Sequence, residues 1–130
     1  MGGLMADKRL KLFFDGGCRP NPGAMESAVV AGGKTIFARD LGHGTSEDAE
    51  WLALIHALTI ARSLGRPDFV LLGDAANVIA KANGTLPCRE AGRGHLERFR
   101  SLAGPAYPRV RHIKRTQNLA GIALARLHGR

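Results

Sequence analysis

Asp15, Glu50 and Asp74 are the residues of this sequence whose types could do chemistry together. Asp15 follows the strand-like run Arg9 to Phe14 (RLKLFF), and Asp74 follows the apolar run Phe69 to Leu72 and Gly73. Glu50 falls in the first turns of a helical stretch, beside an otherwise apolar face. Any one acid at such a boundary is ordinarily a cap or a solvated surface group. Three of them together form what a hard divalent cation needs. Mg²⁺ takes oxygen ligands in octahedral geometry and is usually shared between a few carboxylates, waters and a substrate phosphate. Two such ions about 4 Å apart can activate an attacking water and stabilise the leaving oxygen of a phosphodiester.

Other chemistry is poorly supplied. His43, His56, His95 and His128 show no metal-ligand spacing, and His112 reads as a partly buried or phosphate-contacting side chain. Cys18 and Cys88 are too few for a disulfide framework or a metal cluster and read as reduced thiols. Gly33-Lys34-Thr35 ends like a phosphate-binding loop, but Ala28 stands where the loop's first glycine belongs and a strand follows.

The elements that must position the acids can be read from pattern. Arg9 to Phe14, Ser27 to Ala31 and Thr35 to Leu41 predict three strands, with turn chemistry at Arg19-Pro20-Asn21-Pro22-Gly23 and a hairpin turn at Gly32-Gly33. Thr45 or Ser46 offers a helix N-cap, with Glu47 and Asp48 in the first turn, where the helix dipole favours acids. Glu47, one turn before Glu50, serves that helix end rather than the metal. Trp51, Leu54, Ile55, Leu58 and Ala61 recur at helical spacing up to about Ser63. Phe69 to Leu72 predicts a central strand buried on both faces. Helices are expected over Ala75 to Asn83, Glu90 to Ala103 and Gln117 to Leu127, with a last strand at Arg109 to Ile113. This order implies one α/β domain over residues 1–130, its mixed sheet covered by helices, because parallel strands need crossover connections.

Charge is distributed unevenly. Residues 1–88 carry nine basic and nine acidic side chains, whereas residues 89–130 carry ten basic against Glu90 and Glu97, so the last third holds the whole net charge of +8. A basic surface concentrates polyanions and makes nucleic acid the first partner to consider, a generic solubilising surface being the plain alternative. No run approaches the roughly 18 apolar residues of a membrane span, and the opening residues are too polar for a secretory leader, so a cytoplasmic protein is expected.

At this point the residues resemble a known family. Phe14-Asp15-Gly16-Gly17-Cys18 with Asn21-Pro22-Gly23 resembles the first catalytic strand and turn of ribonuclease H. Ala49-Glu50-Trp51-Leu52-Ala53-Leu54 resembles the Ala-Glu motif of its first helix, and Leu72-Gly73-Asp74-Ala75 its strand-ending aspartate. Arg115-Thr116-Gln117-Asn118-Leu119-Ala120 resembles the segment leading into its final helix. The resemblance implies a five-stranded mixed sheet, three antiparallel strands then two parallel, flanked by helices. It implies an endonuclease acting on the RNA strand of RNA/DNA hybrids, with Asp15, Glu50 and Asp74 as ligands of Mg²⁺ or Mn²⁺ and the chain acting as a monomer. Amides near Gly16, Gly17 and Cys18, with Asn21, would meet the RNA strand. Arg89, Arg93, Arg98 and Arg100 would meet the DNA phosphates, or else form a solvated helix face. One departure stands out: where the family has a fourth aspartate this chain has Gly121, which implies a weakened second ion, slower turnover, or a module that binds without cutting.

Overall fold

A computed structural model describes residues 9–129. The chain opens with three antiparallel strands, β1 (Leu10–Arg19), β2 (Gly23–Ala31) and β3 (Lys34–Ala38), followed by a two-residue strand β4 (His43–Gly44) and the long helix α1 (Ser46–Ser63). Then come β5 (Phe69–Gly73), α2 (Ala76–Ala82), α3 (Glu90–Ala103), β6 (Arg109–His112), a 3₁₀ turn (Arg115–Gln117) and α4 (Leu119–Leu127). The sheet order is β3-β2-β1-β5-β6, with β5 parallel to β1 and β6 parallel to β5, as expected for the mixed five-stranded sheet. The addition is β4, which pairs Gly23 with Gly44 and Ala24 with His43. Two residues are too short to show a period, so β4 leaves no pattern to read.

Several boundaries differ from expectation, and β3, expected to run to Leu41, ends at Ala38. β1 does not stop at Phe14 but continues through Asp15 to Arg19, because β2 begins at Gly23 rather than Ser27 and pairs with it as far as Arg19↔Ala24. Gly16 and Gly17 have weak strand preference on their own, and the ladder to β2 overrides it. The expected last helix from Gln117 is divided, with Gln117 ending the 3₁₀ turn and Asn118 capping α4.

α1 starts where its caps dictate. The Asp48 N–H donates to Thr45 Oγ1 at 3.1 Å and the Thr45 N–H returns a bond to Asp48 Oδ2 at 3.0 Å, a reciprocal capping box. Trp51, Leu54, Ile55, Leu58 and Ala61 are all buried, as their spacing predicts. They pack with Leu12, Phe14, Val29 and Leu71 on one face of the sheet, where α3 adds Leu96 and Phe99. Each such large apolar side chain contributes about 1.5–3 kcal/mol on burial. α4 covers the other face through a smaller cluster of Ala28, Val30, Ala120 and Leu124. Among the described residues no helix is long and apolar enough to cross a membrane.

What matters for the site is where β1 changes partners. Its pairing with β5 covers only Leu10↔Phe69 to Phe13↔Leu72, while its pairing with β2 runs on to Arg19. Past Phe13 the two parallel strands part, and a crevice opens at their carboxyl ends. That is the usual place for a ligand in an open α/β sheet.

Candidate metal centre

Asp15, Glu50 and Asp74 meet in that crevice, each offering a carboxylate oxygen within 4.8 Å of the others. Asp15 lies on β1 on the face covered by α4, Glu50 reaches in from α1 on the opposite face, and Asp74 follows the end of β5. Gly16 makes the meeting possible. A Cβ there would sit 2.1 Å from the Ala49 carbonyl oxygen, so only a hydrogen lets α1 approach β1 this closely. The Gly16 N–H then donates to Glu50 Oε1 at 2.8 Å and fixes the carboxylate. On the other side stands Asn118, fully buried, with its Nδ2 donating to the Phe14 carbonyl at 3.0 Å and to Asp74 Oδ2 at 3.4 Å. Its Oδ1 accepts from the Ala120 N–H at 3.1 Å, so one side chain caps α4 and ties it to both aspartate-bearing strands.

The electrostatics follow from burial. Asp15 is pushed up to about 7 by its desolvation, Asp74's charge adding to the effect and the Arg115 guanidinium opposing it. Glu50 is pushed up to about 9, again by burial first and then by Asp15. In the metal-free protein Glu50 therefore keeps its proton at neutral pH and shares it with Asp15. The donor set is entirely hard oxygen, its carboxylates crowd one another in a partly buried site, and Arg115 is a cation that offsets Asp15. This is the environment a small divalent cation relieves.

The carboxylates line a cavity of about 890 Å³ whose wall includes Gly17, Cys18, Lys114 and Arg115. Of the expected RNA-contacting residues, Gly16, Gly17 and Cys18 line this cavity, though the Gly16 N–H is already committed to Glu50. Asn21 Oδ1 accepts from the Ser46 N–H at 3.0 Å and from the Cys18 thiol at 3.6 Å, tying the β1–β2 turn to the start of α1. Arg89, Arg93, Arg98 and Arg100 are exposed on and before α3 and do not line the cavity. Glu47 is in the first turn of α1 and also bonds Lys81 Nζ at 2.9 Å, joining α1 to α2. Sequence reasoning passed over Asn118 and Arg115 as site residues; an Asn directly before a helical run is an N-cap signal that could have marked the first.

Gly121 lies against the site. A Cβ there would be 3.6 Å from the Asp15 carboxyl, ordinary contact distance, so there is room for a side chain. No other acid substitutes from this helix: Leu119–Leu127 reads LAGIALARL.

Strand order, helix placement and the carboxylate crevice define the ribonuclease H-like class of α/β fold. A family described as reverse transcriptase-like matches residues 14–128. Ribonuclease HI of Halobacterium salinarum is 32% identical over 124 residues, which is 90% of this chain and 62% of that protein, so the chain spans less than two thirds of this relative's length. The crystal structure of RNase H1 from the halophilic archaeon Halobacterium salinarum NRC-1 matches with a TM-score of 0.79 at 29% identity, covering 89% of this chain and 93% of that one. LC11-RNase H1 in complex with an RNA/DNA hybrid matches with a TM-score of 0.79 at 22% identity, over 89% and 93% of the two chains. The chain belongs to the ribonuclease H family within this reverse transcriptase-like group.

Proposed function

We propose that this chain is a divalent-metal-dependent endonuclease that hydrolyses the RNA strand of RNA/DNA hybrids, working as a monomer and as one domain over residues 1–130. The observation that carries the reading is three carboxylates within 4.8 Å in the crevice of a fold shared with a protein solved on such a hybrid. In this reading Asp15, Glu50 and Asp74 hold Mg²⁺ or Mn²⁺. Bound there, the cation supplies Lewis-acid charge at the phosphodiester and makes water acidic enough to attack at neutral pH. The chain's own groups do the rest. Asn118 and the Gly16 amide hold Asp74 and Glu50 in place, and Lys114 and Arg115 draw the strand's phosphate toward the carboxylates. Gly16, Gly17, Cys18 and Asn21 shape the wall that meets the RNA strand, and Arg89, Arg93, Arg98 and Arg100 take the phosphates of the DNA strand. Free thiols at Cys18 and Cys88 suit a reducing compartment, in keeping with work in the cytoplasm.

Gly121 slows this enzyme without silencing it, since the ligands that remain are complete for one ion and waters readily fill the shell of a second. A module that only binds is the weaker reading. Three clustered acids in a nucleic-acid groove would repel the backbone they are meant to hold, and only cation chemistry gives them a use. The test is cleavage of a labelled hybrid in Mg²⁺ and in Mn²⁺ by wild type, Asp15→Asn and Gly121→Asp. Wild type is expected to cut, Asp15→Asn to be inert, and Gly121→Asp to cut faster. Silence from wild type would overturn the proposal, and cutting restored only in Gly121→Asp would mark the chain as a module that binds without cutting.

A further inference from the structure

Beyond Asp15 the cavity continues along β1 to polar side chains that the metal chemistry leaves unused. Asp15 pairs with Ala28 and Gly17 with Glu26, so Glu26 lies on the same sheet face as Asp15, one diagonal step away. Such diagonal neighbours are about 7–8 Å apart. α4 lies over this strip with Gly121 against Asp15, Leu124 over Gly17, and His128, at its C-terminal end, against Glu26. His128 follows Gly121 by seven positions, a rise of about 10 Å, so the pair stands a nucleotide or two from the carboxylates along a strand laid in the cavity.

The Glu26 and His128 side chains are mostly covered, at 12% and 23% exposure, yet both line the cavity that holds Asp15. His128 Nε2 hydrogen-bonds to Glu26 Oε2, and Arg39 Nε lies 3.3 Å from Glu26 Oε1. A side pocket of about 140 Å³ opens beside them, walled also by Arg19, Arg39 and Asp40. Each oxygen of a carboxylate can accept more than one hydrogen bond, so Glu26 keeps acceptor capacity, and the His128 ring keeps its Nδ1. The arrangement therefore offers an acceptor beside an imidazole nitrogen, with two cations at the rim. A phosphate, which only accepts, would face the Glu26 and Asp40 carboxylates directly. A hydroxyl, which both donates and accepts, matches the pair, and in nucleic acid that group is the 2′-hydroxyl that separates RNA from DNA.

We propose that Glu26, held by His128 and Arg39, reads a ribose 2′-hydroxyl of the strand being cut, a nucleotide or two from the scissile bond, while Arg19 and Arg39 draw the flanking phosphates. This deepens the function proposed above and rests on it. Affinity is to be measured by fluorescence anisotropy in Mg²⁺, with the full chain in an Asp15→Asn background that leaves the strand uncut. The probes are hybrids in which a single 2′-deoxynucleotide is walked along the RNA strand. One position should weaken binding about tenfold, the size of a hydrogen bond to a charged group. Glu26→Ala should weaken the all-ribose hybrid equally and lose sensitivity to that one position. His128→Phe, which leaves Glu26 in place but frees it to turn, should blunt the same position. If the protein and substrate penalties multiply to about a hundredfold instead, Glu26 does not touch that hydroxyl and this inference falls while the hybrid reading stands. If the parent binds the hybrid no better than duplex DNA, the hybrid reading itself falls.

Discussion

Asp15 and Glu50 hold their protons far above the ordinary carboxylate range in the metal-free protein, and the sign of the consequence is fixed. Both are raised on folding, from 3.8 to about 7 and from 4.5 to about 9, so the folded chain binds more protons than the unfolded one across that span. Their contribution to stability is complete below about pH 4 and is lost as pH rises through about 7 and then about 9. Two outcomes follow for thermal unfolding. Mn²⁺ should raise Tm more at pH 8 than at pH 5, where protons compete for the ligands; an equal rise at both would refute it. Without metal, Asp15→Asn should melt higher than wild type at pH 8, by about 3–6 °C for relief on the order of 1 kcal/mol, and no higher at pH 4. Asn118 makes a separate prediction. Asn118→Ala strips partners from the Phe14 carbonyl and the Ala120 N–H, and should cost about 1–3 kcal/mol in urea denaturation. A change near zero would mean water replaces the amide.

The same residues act through the elements that carry them. Gly16→Ala would drive a methyl into the Ala49 carbonyl, and neither α1 nor β1 can yield without breaking its own hydrogen bonds. A loss of about 2–3 kcal/mol with abolished cleavage is expected, read by denaturant midpoint and activity together; a stable, active variant would show that α1 can shift. This dependence explains what could be read beforehand. Asp15, Glu50 and Asp74 were visible because each adjoins a hydrophobic run whose period announces a strand or helix. The whole of β1 was not, because Gly16 and Gly17 look like a turn until β2 pairs with them. Asn118 and Arg115 were hidden for a related reason. Their roles depend on a turn whose placement is set by packing, and the Asn118 bond to Phe14 spans 104 residues of sequence. Glu26 and His128 are likewise 102 residues apart, and no local pattern joins them.

At the scale of the molecule the charge asymmetry is also spatial, with Lys114 and Arg115 at the cavity and Arg93, Arg98 and Arg100 out on α3. Hybrid affinity should fall steeply with salt. Arg93→Glu with Arg98→Glu should lower the slope of log K against log salt by about one for each phosphate no longer neutralised, without changing the site of cutting. An unchanged slope would return α3 to the role of a solvated face. The two sides of the sheet are also held unequally. α1 and α3 share the larger core, whereas α4 rests on Ala28, Val30, Ala120 and Leu124 and on the amide of Asn118. By local unfolding free energy, α4 is positioned to open before α1, and its amides should exchange with solvent hydrogen ahead of those in α1. Since α4 walls the cavity, a strand bound there would close the more lightly packed side of the sheet. Substrate would then act as a latch, and protection of α4 from exchange would report an occupied groove.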